Sequence, residues 1–289
     1  MTEQRIIKGV GGLYTVKTQT GNINCRARGI FRNKNIIPLV GDKVETENGI
    51  ITKILPRKNF LIRPPCANID KMFLVVAMNN PLPNLYMLDK MLAIAYYHKI
   101  KPILIFNKAD LKDELNTEAI YRNLPIEQYV LSATDDKFNV AEKLRKQIKN
   151  NTVVMSGLSG VGKSSLMNLL DKNLALKTGN VSEKLLRGKH TTRHVELFEL
   201  AGGHILDTPG FSNLLFEYFD IKDRSILAEC FPEFSAIEGS CRFTDCTHTK
   251  EPGCRIINAL KEGKIQKSRH ENYCRMYEEI GPKEEWKDK

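Results

Sequence analysis

The stretch Gly157-Leu158-Ser159-Gly160-Val161-Gly162-Lys163-Ser164-Ser165 fits the pattern GxxxxGK[ST], and nothing else in this 289-residue chain constrains its fold as strongly. Such a loop works between a buried strand and the first turn of a helix, where backbone amides point together at an anion. The flanks agree, with the apolar run Val153–Met155 before it and helical spacing over Leu166–Leu170 behind it. A second loop, Asn107-Lys108-Ala109-Asp110, follows another apolar run, Ile103–Phe106, and stands earlier in the chain. Together with the runs Met72–Ala77, Tyr129–Leu131 and His204–Leu206 and helical spacing over Leu85–His98 and Val140–Lys149, this reads as a parallel α/β sheet with helices on both faces.

The two loops define a nucleotide chemistry. Lys163 would reach the β- and γ-phosphates, and the Ser164 hydroxyl would ligate Mg²⁺. In an NKxD sequence, a carboxylate such as Asp110 accepts from the ring N–H and exocyclic amine of guanine, a donor pair adenine lacks. Asn107 and the stem of Lys108 would fix the loop and cover the base, and Ser132-Ala133 would offer a backbone amide to the guanine carbonyl. Asp207-Thr208-Pro209-Gly210 fits DxxG, with Asp207 holding Mg²⁺ through water and the Gly210 amide sensing the γ-phosphate. The polar segment Arg187–Arg193 suits a first switch, in which Thr192 or Thr191 joins the metal shell. Phe211 stands where many GTPases place a water-orienting glutamine, so intrinsic hydrolysis should be slow. The missing group would come from His190, Arg193, His194 or a partner.

Ordinarily the phosphate loop comes first and NKxD near the end. Here the order is reversed, and a cyclic shift explains it if the helix Val140–Lys149 joins the usual C-terminus to the usual first strand. The chain after Gly210 then leads directly into a C-terminal module, which could feel the nucleotide state.

Ahead of the sheet, short β-branched runs are broken by turn signals: Leu13–Val16, Ile23–Arg28, Gly29–Phe31, Val40–Thr46 and Ile50–Leu55. They predict a small barrel of OB type, an SH3-like barrel reading almost the same. Pro64-Pro65 reads as a stiff junction. Residues 1–65 hold 12 Lys/Arg against 4 Asp/Glu, which carries most of the net charge of +10 and points to a polyanion. The expected domains are therefore 1–65, 66–216 and 217–289.

In the last domain Cys241, Cys246, His248 and Cys254 gather three thiols and an imidazole in one turn-rich loop. That donor set suits one structural, tetrahedral Zn²⁺. Cys25, Cys66, Cys230 and Cys274 read as packing residues. Helices are expected over Ile221–Cys230 and Ile256–Glu279, the latter with a Tyr273/Tyr277/Ile280 stripe for core packing. No apolar run reaches the length of a membrane span and no signal peptide is evident, which together place the chain in the cytoplasm.

Across nearly its whole length the sequence resembles the ribosome small-subunit-dependent GTPase A family. Asn107–Asp110, Ser132-Ala133, Gly157–Ser165, Arg187–Thr192, Asp207–Phe211 and the Cys241/Cys246/His248/Cys254 cluster carry the resemblance, in that order. It implies a multi-domain chain: an all-β OB-fold barrel, a circularly permuted α/β P-loop GTPase domain and a small, mostly helical zinc module. It also implies GTP hydrolysis stimulated by the small ribosomal subunit during late maturation, rRNA contacts from the barrel, and a monomer. Arg193 departs from the family, standing where relatives often carry another threonine. Three alternatives stand beside this reading: action on another RNA or the large subunit, a P-loop ATPase, and an RNA-binding checkpoint in which GTP is only a ligand.

Overall fold

The structure, a computed structural model, describes residues 4–29, 31, 36–135, 139–171, 195–207 and 214–281. Lys71–Ala77 is buried along almost its whole length, as a strand covered on both faces must be. Phe73, Val75 and Ala77 point into one core; Met72, Leu74 and Val76 point into the other.

Five strands open the chain: β1 Gln4–Val10, β2 Leu13–Thr18, β3 Gly21–Ala27, β4 Lys43–Glu47 and β5 Ile50–Ile54. They pair in the order β1-β2-β3-β5-β4, and β4 returns to β1, closing a five-stranded barrel with a parallel β3–β5 contact. This is the closure of an OB-fold. Ile6, Val16, Cys25, Val44 and Ile51 fill its interior. β3 ends at Ala27, and the Phe31 amide donates to the Arg28 carbonyl at 3.1 Å rather than to a barrel strand, while Ile30 lies outside the described residues. Val40 likewise precedes β4 and bridges Cys66 instead. Pro64-Pro65 is no open linker, because β6 Phe60–Leu61 and β7 Cys66–Ala67 pair across it as a hairpin. Gly41 lies against that hairpin at φ +93, where a Cβ would come within 2.2 Å of the Ala67 carbonyl oxygen.

The central sheet uses β8 Lys71–Ala77, β9 Lys101–Asn107, β10 Glu127–Val130, β11 Thr152–Ser156, β12 Glu196–Leu200 and β13 Gly203–Asp207. Its order is β10-β9-β8-β11-β13-β12, parallel except for β12. Helices α3 Val140–Ile148 and α4 Lys163–Leu170 cover one face through Leu144, Ile148, Leu166 and Met167. Helix α1 Leu85–Tyr97 covers the other, capped by the Asn84 side chain on the Met87 amide at 3.1 Å. Leu88, Met91, Leu92 and Ile94 anchor it, each worth about 1.5–3 kcal/mol when fully buried. A short helix, α2 Thr117–Tyr121, follows the NKxD loop.

The C-terminal module packs on α1. Ile221–Cys230 is shorter than expected, a 3₁₀ segment from Arg224 to Cys230 capped by Asp223. The short helix α5 Pro232–Ser235 follows it. The expected single helix Ile256–Glu279 is two, α6 Arg255–Lys261 and α7 Lys267–Ile280. Gly263 at φ +74 divides them, its amide reaching Leu260 and the Lys264 amide reaching Ala259, which is a Schellman ending. Tyr273 and Met276 are buried and Tyr277 and Ile280 pack at the margin, as core packing of that stripe requires.

A buried charge network fastens this module to the sheet. Arg269 donates to Asp89 on α1 at 2.6 Å and to Glu233 on α5 at 2.8 Å. Tyr121 on α2 and Asn272 each donate to Asp89 at 2.6 Å. Burial opposes the Arg269 charge, but the two carboxylates outweigh it and keep the guanidinium protonated. Among the described residues, no helix is long and apolar enough to cross a membrane.

Candidate functional site

Parallel strands end together, so the loops that follow β9, β10, β11 and β13 leave the same edge of the sheet. Asn107 closes β9 and is buried. Its Nδ2 donates to the Val161 carbonyl of the phosphate loop at 2.8 Å, while its Oδ1 accepts from the Ala133 amide at 3.0 Å. One side chain thus joins three loops that are far apart in sequence. Gly162 permits this approach: at φ +96, a Cβ there would stand 2.3 Å from Asn107 Nδ2. Gly157 has the same constraint against Val75, whose carbonyl oxygen would be 2.3 Å from an added Cβ.

The remaining loop residues surround this junction. Lys163 opens α4 and donates from Nζ to the Gly157 and Leu158 carbonyls at 2.8 and 2.9 Å. Ser159 and Gly160 form the exposed outer turn of the phosphate loop. Ser164 and Ser165, half-buried, occupy the first turn of α4, and the amides of a helix N-terminus attract phosphate. Lys108, at φ +60, donates from Nζ to the Asn80 carbonyl. Ser132 is buried with its hydroxyl 2.9 Å from Thr134, and Asp110 is exposed at the mouth. Backbone cradle, flanking lysine and hydroxyl are a donor set that fits a phosphate chain with Mg²⁺. Asp207 ends β13 beside Met155 of β11, immediately ahead of the phosphate loop. His190, Thr191, Thr192, Arg193, His194, Gly210 and Phe211 lie outside the described residues. A cavity of about 630 Å³, lined by Tyr96, Lys101, Leu124 and Glu127, opens near the start of β9 and is separate from the loop cluster.

The second site is the Cys/His loop. The ligand atoms of Cys241, Cys246, His248 and Cys254 all lie within 4.8 Å of one another. Cys241 Sγ stands 3.6 Å from His248 Nδ1 and 3.9 Å from Cys254 Sγ, and His248 Nδ1 stands 3.4 Å from Cys254 Sγ. A tetrahedron with ordinary zinc bond lengths has S–S edges of about 3.8 Å and S–N edges of about 3.6 Å, so the four donors fit Zn²⁺. Burial opposes thiolate charge at both Cys241 and Cys246. At Cys241 the Arg255 amide and neighbouring thiols outweigh it and hold the thiol below its ordinary range, whereas Cys246 is pushed up to about 12. The sequence reading overlooked Glu251, which organises this loop. Its carboxylate accepts from the Thr247 amide at 2.9 Å, the Thr249 amide at 3.0 Å and the Thr247 hydroxyl. Burial works against that charge, yet these donors hold Glu251 down to about 2. His270 Nε2 and Tyr273 Oη brace the same loop through the His248 and Thr247 carbonyls.

A parallel sheet that begins at the base-reading loop, returns to a phosphate loop and ends in DxxG defines a circularly permuted P-loop GTPase. Comparison with known proteins narrows this class. Residues 54–217 match the RsgA GTPase family and residues 3–51 match the RsgA N-terminal domain. The small ribosomal subunit biogenesis GTPase RsgA of Clostridium beijerinckii is 44% identical over 281 residues, covering 96% of each chain. That of Caldanaerobacter subterraneus is 43% identical, over 97% of this chain and 96% of its own. Two solved structures, YloQ, described as a circularly permuted GTPase, and YjeQ from Thermotoga maritima, each superpose with a TM-score of 0.76 at 34% identity. Both alignments cover 97% of this chain, with 95% of YloQ and 99% of YjeQ. The chain belongs to the RsgA family of GTPases.

Proposed function

We propose that this chain is the GTP hydrolase of small-ribosomal-subunit biogenesis in its cell, working as a monomer in the cytoplasm and using GTP turnover as a switch in late maturation. The observation that carries the reading is the Asn107 junction, which ties the base-reading loop to the phosphate loop through Val161 and to the Ser132-Ala133 loop through Ala133. Asp110 would read guanine, and the amides of Gly157–Ser165 would hold the phosphates. Lys163 would turn from its loop carbonyls to the β- and γ-phosphates, while Ser164, Asp207 and Thr192 would hold the metal directly or through water. Bound Mg²⁺ would neutralise charge developing on the phosphoryl oxygens. Gly210 would report the γ-phosphate to the segment beyond it.

Phe211 offers no hydrogen bond to water, so the chain alone should turn over slowly, with the subunit ordering His190 or supplying the missing group. The basic barrel would contact rRNA through phosphate neutralisation, and the zinc loop would brace the C-terminal module. Phosphate release measured with purified small subunits, large subunits and neither tests the reading. Stimulation by small subunits alone is expected; equal rates in all three would refute the assignment.

A further inference from the structure

The segment Asn79-Asn80-Pro81-Leu82-Pro83-Asn84 joins β8 to α1 and leaves the sheet at the same edge as the base-reading loop. Its residues are turn formers, and Asn80 takes the left-handed backbone that asparagine tolerates, at φ +48. Strands β8 and β9 stay in register to their ends, with Ala77 opposite Asn107, and the Met78 amide donates to the Asn107 carbonyl at 2.9 Å. The segment therefore starts beside the NKxD sequence, and its contacts straddle Asp110. On one side, Lys108 Nζ donates to the Asn80 carbonyl. On the other, Asn79 Nδ2 donates to the Lys112 carbonyl and to Glu114 Oε1, each at 3.2 Å. Asn79 Oδ1 accepts from the Asn80 amide at 2.7 Å. One half-buried side chain thus sets the turn that Lys108 reaches and ties down the residue two beyond Asp110. Between these ties the Leu111 amide closes a turn on the Lys108 carbonyl at 2.9 Å, with Asp110 exposed inside it.

We propose that Asn79 is a positioning residue for guanine recognition, acting through the placement of Asp110. The proposal rests on Asp110 reading the base, as argued above. A carboxylate that accepts from both the ring N–H and the exocyclic amine has to lie in line with two donors at once, and hydrogen bonds weaken steeply off line. Asp110 stands on an exposed turn, so its backbone is held from outside that turn. The Ala109 amide on the Leu131 carbonyl, at 3.1 Å, holds one flank, and Asn79 holds the other. Loss of the Asn79 amide lets the carboxylate swing, which costs the two-point contact more than a one-point contact. A loop that was merely loosened would weaken every nucleotide alike.

The test is displacement of a fluorescent GDP analogue from the zinc-loaded full chain by GDP and by IDP. Hypoxanthine keeps the ring N–H of guanine and lacks its exocyclic amine, so the ratio of the two dissociation constants isolates that amine from ribose and phosphates. Asn79→Ala should lower the preference for GDP over IDP by about three- to tenfold, through weaker GDP binding. Asn79→Asp keeps the size and the acceptor for the Asn80 amide but has no donor for the Lys112 carbonyl, and should lower the preference as far. Equal weakening of GDP and IDP, up to complete loss of both, or no change in either, would overturn the proposal. So would an Asn79→Asp variant with the preference of the unaltered chain. Asp110→Ala separates this proposal from the reading beneath it. That variant should bring the ratio close to one, and a ratio it leaves unchanged would refute base reading by Asp110. A ratio that collapses there but holds in Asn79→Ala would refute the role of Asn79 alone.

Discussion

The side-chain amide of Asn107 donates to the Val161 carbonyl at 2.8 Å, fastening the end of β9 to the phosphate loop across 54 residues of sequence. The same side chain accepts from Ala133, so its removal leaves a carbonyl and an amide without their buried partner. Such losses cost about 1–3 kcal/mol each. Asn107→Ala should therefore weaken both GDP and GTP binding by roughly 30-fold or more, measured by equilibrium titration. A change of less than a few fold would mean that the junction does not position the loops.

Asp110 would set the base. Replacing its carboxylate with an amide removes the acceptor for the guanine amine and ring N–H. Asp110→Asn should shift preference from guanine toward xanthine nucleotides, read by competition of XDP and GDP for one labelled nucleotide. Equal loss of both would argue against base reading by this residue.

Zinc removal should unfold the C-terminal module and leave the sheet intact. Each chain should carry one zinc by atomic absorption, and Cys254→Ser should lose it, since Cys254 is the buried ligand. Near-ultraviolet signals from Tyr273 and Tyr277 should collapse on chelation, with GDP affinity changed far less. Retained tyrosine signals after complete metal removal would show that the ion is dispensable.

Arg269 joins Asp89 to Glu233 in the interior. Arg269→Met strands the buried Asp89 and the partly buried Glu233 and should destabilise the chain by about 3–5 kcal/mol in denaturant unfolding. It should also free the module from α1. A cost below about 1 kcal/mol would place the network among weak surface pairs.

His98 links α1 to the Phe219 carbonyl, with Nε2 at 2.9 Å. Burial holds the imidazole below its ordinary 6.5, outweighing the Phe219 carbonyl and Asp220, which favour the charged form. The folded state thus prefers neutral His98. Its contribution is complete above pH 6.5 and is lost as pH falls through the lower folded value, because the unfolded chain takes up the proton first. In zinc-saturated protein, His98→Gln should flatten the decline in thermal midpoint between pH 7 and pH 5. An unchanged slope would assign the decline to other groups.

The sheet and its loops were legible because buried parallel strands leave continuous apolar runs and each loop has a fixed spacing. Strand β12, ELFEL, escaped notice because its two glutamates hide the buried Leu197 and Leu200, and one of its two partner strands lies on the distant barrel. The break at Gly263 was visible as a glycine but was overridden by the helical stripe on either side. Asp89, Glu233 and Arg269 could not be connected from sequence, since each is an ordinary polar residue until three separate helices bring them together. That network bears on the expected link between nucleotide state and C-terminal module. With Leu214, Phe216 and Phe219 also buried, the module is anchored on α1.

We propose that three separated loops form one guanine-nucleotide pocket. Titration of the zinc-loaded full chain with a fluorescent GDP analogue, followed by competition with GTP, GDP and ATP, tests it most directly. Saturable binding displaced by GTP and GDP but not by ATP is the predicted result. No saturable binding, or displacement by ATP as effective as by GTP, would contradict it.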